Sequence, residues 1–288
     1  MRSAELTTLP SGRKLRILVG LGIFVSFFID ERRLNALEPG HWVGQVSPHW
    51  SIGANPNGGY LLALALKALG AELPQPHPVS IAAHYLRPGE GAAPCDCFVE
   101  VLKVGKQLAT GQVRLVQEGK TRLAVLATYG TLPTDAPTPA DRQPQAPNLP
   151  EPEACVYREA VGHGVTLPIA ERLDVRLNPA QAAPGQAGEA AISGWIRFRD
   201  GTDPDPEALA LFCDAFPPSV FGLLGAVGWV PTVSLNVELR RCPAPGWIAG
   251  AFSSRDQQGD RMLESGGLWD SRGALVASVR QLGLVRHA

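Results

Sequence analysis

The 288-residue chain has almost no net charge and few aromatics: its formal charge is −1, charged residues make up 18% and aromatics 7%. No basic stripe or acidic tail is present, which argues against nucleic acid as a partner. The five cysteines, Cys95, Cys97, Cys155, Cys213 and Cys242, are odd in number and contain no C-x-x-C pair. They are expected to be reduced, packed thiols in a cytosolic, cytoplasmic protein. Cys95-Asp96-Cys97 has no second half to complete a metal site, and the six histidines contain no H-x-x-x-H or H-E-x-x-H. No metal is expected. G-x-S-x-G is missing, which excludes a serine-hydrolase elbow. The longest uncharged run near the N-terminus, Ile17 to Ile29, is too short for a comfortable membrane span. Asp30-Glu31-Arg32-Arg33 follows it with no A-x-A cleavage pattern. Residues 1–33 are therefore expected to be an N-terminal extension, partly packed and partly disordered; the alternative reading is that natural translation starts near Val25.

Proline, by contrast, is plentiful and concentrated. Pro133 to Pro152 holds seven prolines in twenty residues. Such a stretch suits neither a helix interior nor a central strand, and predicts an extended linker, residues 133–154. It separates two similar halves, 34–132 and 155–288. In the first, an apolar helix (about Asn57 to Leu69) precedes four strand-like segments, His77–Leu86, Cys95–Val104, Leu108–Gln117 and Arg122–Tyr129. In the second, a strand (Ile192–Phe198) and a helix (Asp205–Phe216, stopped by Pro217-Pro218) precede Thr232–Arg240, Trp247–Ser254, Met262–Trp269 and Ala274–Leu284. HYLRP (84–88) echoes ELRRCP (238–243), and QEGKTRLAVLATYG (117–130) echoes WDSRGALVASVRQLG (269–283). Each half reads as a helix followed by a four-stranded antiparallel meander. An apolar helix must be covered on most sides, and a curved sheet wrapped around it does so. Two such units can join their sheets and protect an edge of each. The predicted fold is α+β, a double hotdog.

The first helix poses a question. It is entered through Pro56-Asn57-Gly58-Gly59, and glycine costs a helix roughly 1 kcal/mol relative to alanine. The pair is expected where something approaches the bare backbone closely. Asn57 is a natural N-cap, and free N–H groups at a helix start favour an anion.

Five motifs in fixed order carry a family resemblance: PNGGYLLALALKAL (56–69), HYLRPGE (84–90), CDAFPP (213–218), VPTVSLNVELRRCPAPGW (230–247) and LWDSRGALVASVRQLG (268–283). Over about Trp42 to Arg286 the chain resembles the TesB-like (type II) acyl-CoA thioesterases, in their shorter bacterial branch. The resemblance implies a double hotdog, an acyl-CoA substrate, no cofactor, and a water held by Asp, Thr and Gln of the second half. Those residues fall on Asp214, Thr232 and Gln281. The helix-start glycines fall on Gly58 and Gly59, where the thioester oxyanion is expected to bind beside Asn57 and Tyr60. The better-known branch opens this helix with Gly-Gly-Gln; here Tyr60 replaces the Gln, and either lines the acyl pocket or packs against the sheet.

The residues themselves support these positions unequally. Asp214 is a carboxylate in an apolar stretch, which suits it to general-base work if desolvated. Gln281 shares a strand face with Leu275, Ala277 and Val279, so its amide needs a partner. Thr232 alternates with Ser234, Asn236 and Glu238, a polar face; only the resemblance nominates it, and Ser234 is an alternative hydroxyl. The expected function is hydrolysis of a fatty or related acyl-CoA at one site per chain. A non-catalytic acyl-CoA or acyl-lipid binding hotdog and a hotdog hydratase or dehydratase are the alternatives. A homo-oligomer is expected, since hotdog units usually pair further.

Overall fold

The computed structural model describes residues 6–8, 14–16, 26–138, 141–158, 161–162, 165–225 and 228–285. Residues 17–25, with the expected start near Val25, lie outside these.

Helix α1, Gly58–Ala71, is built from leucine and alanine, strong helix formers. Asn57 caps it: its side-chain oxygen accepts from the Tyr60 N–H at 3.1 Å. Ten of the fourteen residues are buried, and the one charged residue, Lys67, is exposed. A helix this apolar needs cover all round. The cover comes from the second helix and from first-half strands of one sheet of thirteen: β1 Leu34–Glu38, β2 His41–Gln45, β3 His77–Tyr85, β4 Pro94–Val104, β5 Ala109–Gln117, β6 Lys120–Gly130, β7 Val156–Tyr157, β8 Leu173–Leu177, β9 Ala191–Phe198, β10 Thr232–Leu239, β11 Ile248–Gln258, β12 Arg261–Trp269 and β13 Leu275–Leu284. Their spatial order is β7-β8-β9-β11-β12-β13-β10-β3-β6-β5-β4-β2-β1.

That order shows the repeat. In each half the strand after the helix (β3, β10) pairs with the last strand (β6, β13), and the other three form a meander. Each unit is thus a three-stranded meander with the post-helix strand laid against its last member, rather than four strands in sequence order. β2 and β9 take matching places beside β4 and β11. The halves join through β3 and β10, which pair antiparallel from Ser234↔His84 to Glu238↔Ser80. Both edges that a single unit would expose there are closed.

The second helix, α2 Pro206–Phe212, is capped by Asp205, which accepts from the Ala208 N–H at 2.7 Å. It stops four residues short of the expected Phe216. Pro217 disfavours helical backbone at Phe216, and the chain leaves through tight turns, with the Asp214 N–H donating to the Leu211 carbonyl at 3.1 Å. Segment 26–33 straps onto the second half: Phe28 stacks on Phe198 at 4.9 Å, and buried Arg32 binds Asp205 and Glu207 beside the start of α2. The Pro-rich stretch is also tied down, accepting from the indoles of Trp269 (Pro144 carbonyl, 3.0 Å) and Trp195 (Pro150 carbonyl, 2.8 Å).

The two helices meet where α1 begins. A Cβ on Gly59 would stand 2.7 Å from the Leu211 carbonyl oxygen and 2.9 Å from its Cα. Those are backbone atoms of α2 and cannot step aside. Gly59→Ala is expected to destabilise the protein by about 1–3 kcal/mol through overpacking, despite alanine's better helix propensity. Thermal unfolding checks this: Tm falls for Gly59→Ala.

Candidate active site

The anion at the start of α1 belongs to the protein itself. Asp214, in the turn after α2, points its carboxylate at the helix N-terminus. Oδ2 accepts from the Gly59 N–H at 2.9 Å and from Asn57 Nδ2 at 3.0 Å. The same Nδ2 lies 2.9 Å from the Asp214 carbonyl, so Asn57 holds both the backbone and the side chain of this turn while capping α1. A Cβ on Gly58 would stand 2.9 Å from Oδ2. This corrects one expectation. The Gly59 N–H, predicted to await a substrate oxyanion, is occupied by Asp214, because an internal carboxylate meets the same helix-end field.

The other carboxylate oxygen faces the sheet. Oδ1 accepts from the Thr232 hydroxyl at 3.1 Å, and Gln281 Nε2 donates to that hydroxyl oxygen. The proton order is fixed, since an amide N–H only donates. The structure therefore brings Asp214, Thr232 and Gln281 together. Thr232 gets there through a β-bulge. Leu235 pairs with Gln281 and Ser234 with Leu282, but Thr232 pairs with Gly283, leaving Val233 as the extra residue. The bulge shifts Thr232 onto the Gln281 face, whereas strict alternation placed it outward with Ser234. Ser234 stays in register opposite His84 of β3 and makes no bond to Asp214.

Tyr60 does not line the site. Its ring is fully buried and stacks on Trp50 at 5.3 Å and 11°. Its hydroxyl donates to the Glu31 carbonyl and accepts from the Ser47 N–H at 3.1 Å. The expectation of substrate contact is corrected: Tyr60 locks α1 to segment 26–33 and the turn before it. Burial raises its pKa.

Two further groups border Asp214. Glu264, buried on β12, pairs in register with Gln281, and Oε2 accepts from the Ser219 N–H at 2.7 Å. Burial pushes its pKa up. A carboxylate on the same face as Met262, Gly266 and Leu268 was a readable signal of the kind that exposed Gln281. Tyr85, inside the motif HYLRP, packs its ring against Gly58. Asp214, Thr232 and Tyr85 all keep part of their surface exposed, so the cluster is reachable from solvent.

Burial pushes the Asp214 pKa up to about 6. The N–H of Gly59, the Thr232 hydroxyl, the Asn57 amide and the N–H of Gly58 favour the charged form and oppose that rise. Among the described residues no group of three or more metal-ligating side chains is present, and no helix is long and apolar enough to cross a membrane.

This fold defines a double-hotdog protein, two helix-and-sheet units fused through one sheet. Residues 46–130 match the acyl-CoA thioesterase N-terminal domain and residues 135–285 the acyl-CoA thioesterase C-terminal domain. The chain belongs to the acyl-CoA thioesterase family and is a thioester hydrolase. It is similar to a candidate thioesterase II from Thermobifida fusca YX, with 31% identity, 91% of this chain and 98% of that chain covered, and a TM-score of 0.83. A hot dog fold protein of unknown function from Alicyclobacillus acidocaldarius superposes with a TM-score of 0.80 at 21% identity, covering 91% and 98%. An uncharacterized protein of Mycobacterium tuberculosis H37Rv is 29% identical over 266 residues, 84% of this chain and 90% of the relative.

The pKa balance gives a signed expectation. If ionised Asp214 is the working form, kcat/KM falls tenfold per pH unit below about 6. Thr232→Val removes a donor to the charged form, so the acid limb of the profile moves to higher pH. The pH dependence of kcat/KM for the two proteins checks this.

Proposed function

We propose that this chain hydrolyses a fatty or related acyl-CoA to the free acid and CoA, with Asp214 as general base and Thr232 and Gln281 as its positioning partners. The observation that carries this reading is the chain Gln281→Thr232→Asp214. It assembles from three separate segments on a carboxylate with a raised pKa. Oδ2 accepts from the Gly59 N–H and Asn57 Nδ2, with the N–H of Gly58 also favouring its charge, while Oδ1 accepts one hydroxyl, which leaves one of its two lone pairs for a water. Oδ1 is therefore the basic atom. A water donating to Oδ1 loses its proton there as its oxygen bonds to the thioester carbonyl carbon. The tetrahedral intermediate then collapses, the C–S bond breaks and CoA leaves as the thiolate. The proton held by Asp214 returns to solvent.

Support against a hydratase comes from the partners of Asp214, which among the described residues are a backbone N–H, an amide and a hydroxyl and include no histidine. Support for one site per chain comes from the first half. There the sequence-repeat counterpart of Gln281 falls near Thr128 to Tyr129, neither of them a glutamine, and Tyr129 is fully buried and donates to the Leu66 carbonyl at 2.8 Å.

The test is release of free thiol from a panel of acyl-CoAs of varied chain length. Asp214→Asn is expected to lower kcat by about two to four decades with its Tm retained, and active-site titration is expected to give one site per chain. An unchanged kcat sinks the assignment. Acyl-CoA binding without thiol release from the wild type would make the chain a binding protein instead.

A further inference from the structure

With the Gly59 N–H occupied by Asp214, the site needs another donor for the charge that develops on the thioester oxygen. We infer that the Tyr85 hydroxyl donates a hydrogen bond to the carbonyl oxygen of the bound thioester. The inference rests on the hydrolase reading above and deepens it.

Tyr85 closes β3, the strand where the two halves join, and pairs in register with inward-facing Leu123 of β6. Its ring lies at the start of α1. A Cβ on Gly58 would meet Tyr85 Cε1 at 2.9 Å and Cζ at 3.1 Å, and Asp214 Oδ2 at 2.9 Å. Ring, bare helix start and carboxylate thus converge on one point. The hydroxyl is buried and has no hydrogen-bond partner among the described residues. An orphaned buried hydroxyl is a cost to the fold and calls for an explanation. The neighbouring donors already serve Asp214: the Gly59 N–H and Asn57 Nδ2 bond Oδ2, the N–H of Gly58 also favours its charge, and the Thr232 hydroxyl bonds Oδ1. Burial, and then the charge of Asp214, raise the Tyr85 pKa well above the ordinary tyrosine value. The phenol stays protonated and keeps its O–H to donate.

In the reaction, the water oxygen adds to the carbonyl carbon and the C=O π pair moves onto the oxygen. The Tyr85 O–H faces that oxygen and stabilises it without giving up its proton. Such a contact strengthens as charge grows, so it acts on the transition state more than on binding. Tyr85 is then catalytic in the strict sense of touching the reacting atoms, and Gly58 is bare in part so that the phenol ring can lie there.

Tyr85→Phe tests this with the full chain. Loss of one oxyanion donor costs about 10²–10³ in kcat, and that fall is expected with KM changed little. Tm is expected to hold or rise, because phenylalanine removes a hydroxyl that had no partner. Binding of two unreactive substrate mimics gives an independent readout. One keeps the carbonyl and replaces sulfur by CH₂; the other keeps sulfur and replaces the carbonyl by CH₂. The wild type is expected to prefer the first, and Tyr85→Phe to lose that preference. A Tyr85→Phe kcat within twofold of wild type overturns the inference. So does a fall in kcat with the preference intact, which assigns Tyr85 a structural role. The mimic comparison reads Tyr85 without turnover, whereas failure of the hydrolase reading shows as absent thiol release from the wild type.

Discussion

The structure turns on a carboxylate from one half seated on the helix N-terminus of the other. Asp214 reaches across 155 residues of sequence to the Gly59 N–H, and much else is arranged to allow it. Gly58 and Gly59 are bare so that the carboxylate, the Tyr85 ring and the α2 backbone can come this close. Helix α2 ends at Phe212 so that the following turn faces α1. Asn57 spans both sides, capping α1 through its oxygen and gripping Asp214 through its nitrogen. An ionised carboxylate without such donors would be too costly to bury; with them it is held charged and aimed.

Fusion of two hotdog units makes this arrangement asymmetric. The first supplies a long buried helix with an open N-terminus; the second supplies the acidic turn and the strand residues. A continuous sheet through β3 and β10 fixes their relative position. Near the sequence-repeat counterpart of Gln281 the first half has Thr128 and Tyr129, and Tyr129 bonds the Leu66 carbonyl inside the core. The Asp214, Thr232 and Gln281 cluster thus lies in the second half alone among the described residues.

What could be read from sequence follows from how far each signal travels along the chain. Gln281 was legible because a polar amide interrupts an apolar strand face, a local pattern. The paired glycines were legible as a close approach, but not what approaches: the occupant is Asp214, and no local rule reports a partner so distant. Thr232 was misplaced by alternation because one extra residue, Val233, reverses the face of everything before it. The short strands β1 and β2 carry mostly exposed or half-buried residues and show no period to detect. Tyr60 looks from sequence like any aromatic at a helix start; its partners, Trp50, Ser47 and the Glu31 carbonyl, become visible only when segment 26–33 folds back.

The two oxygens of Asp214 divide the work. Oδ2 is saturated by donors on α1, which fixes the carboxylate and lowers its basicity. Oδ1 has one hydroxyl donor, itself oriented by Gln281, and so is the less saturated oxygen. Burial pulls the pKa upward against four donors, and the balance comes to rest at about 6. At that value the group is mostly ionised near neutrality yet more basic than a solvated aspartate. Without the donors the pKa would stand higher still; without burial the carboxylate would be a weaker base. A carboxylate balanced in this way needs both a helix end and a desolvating sheet, and the joined pair of hotdog units brings the two together.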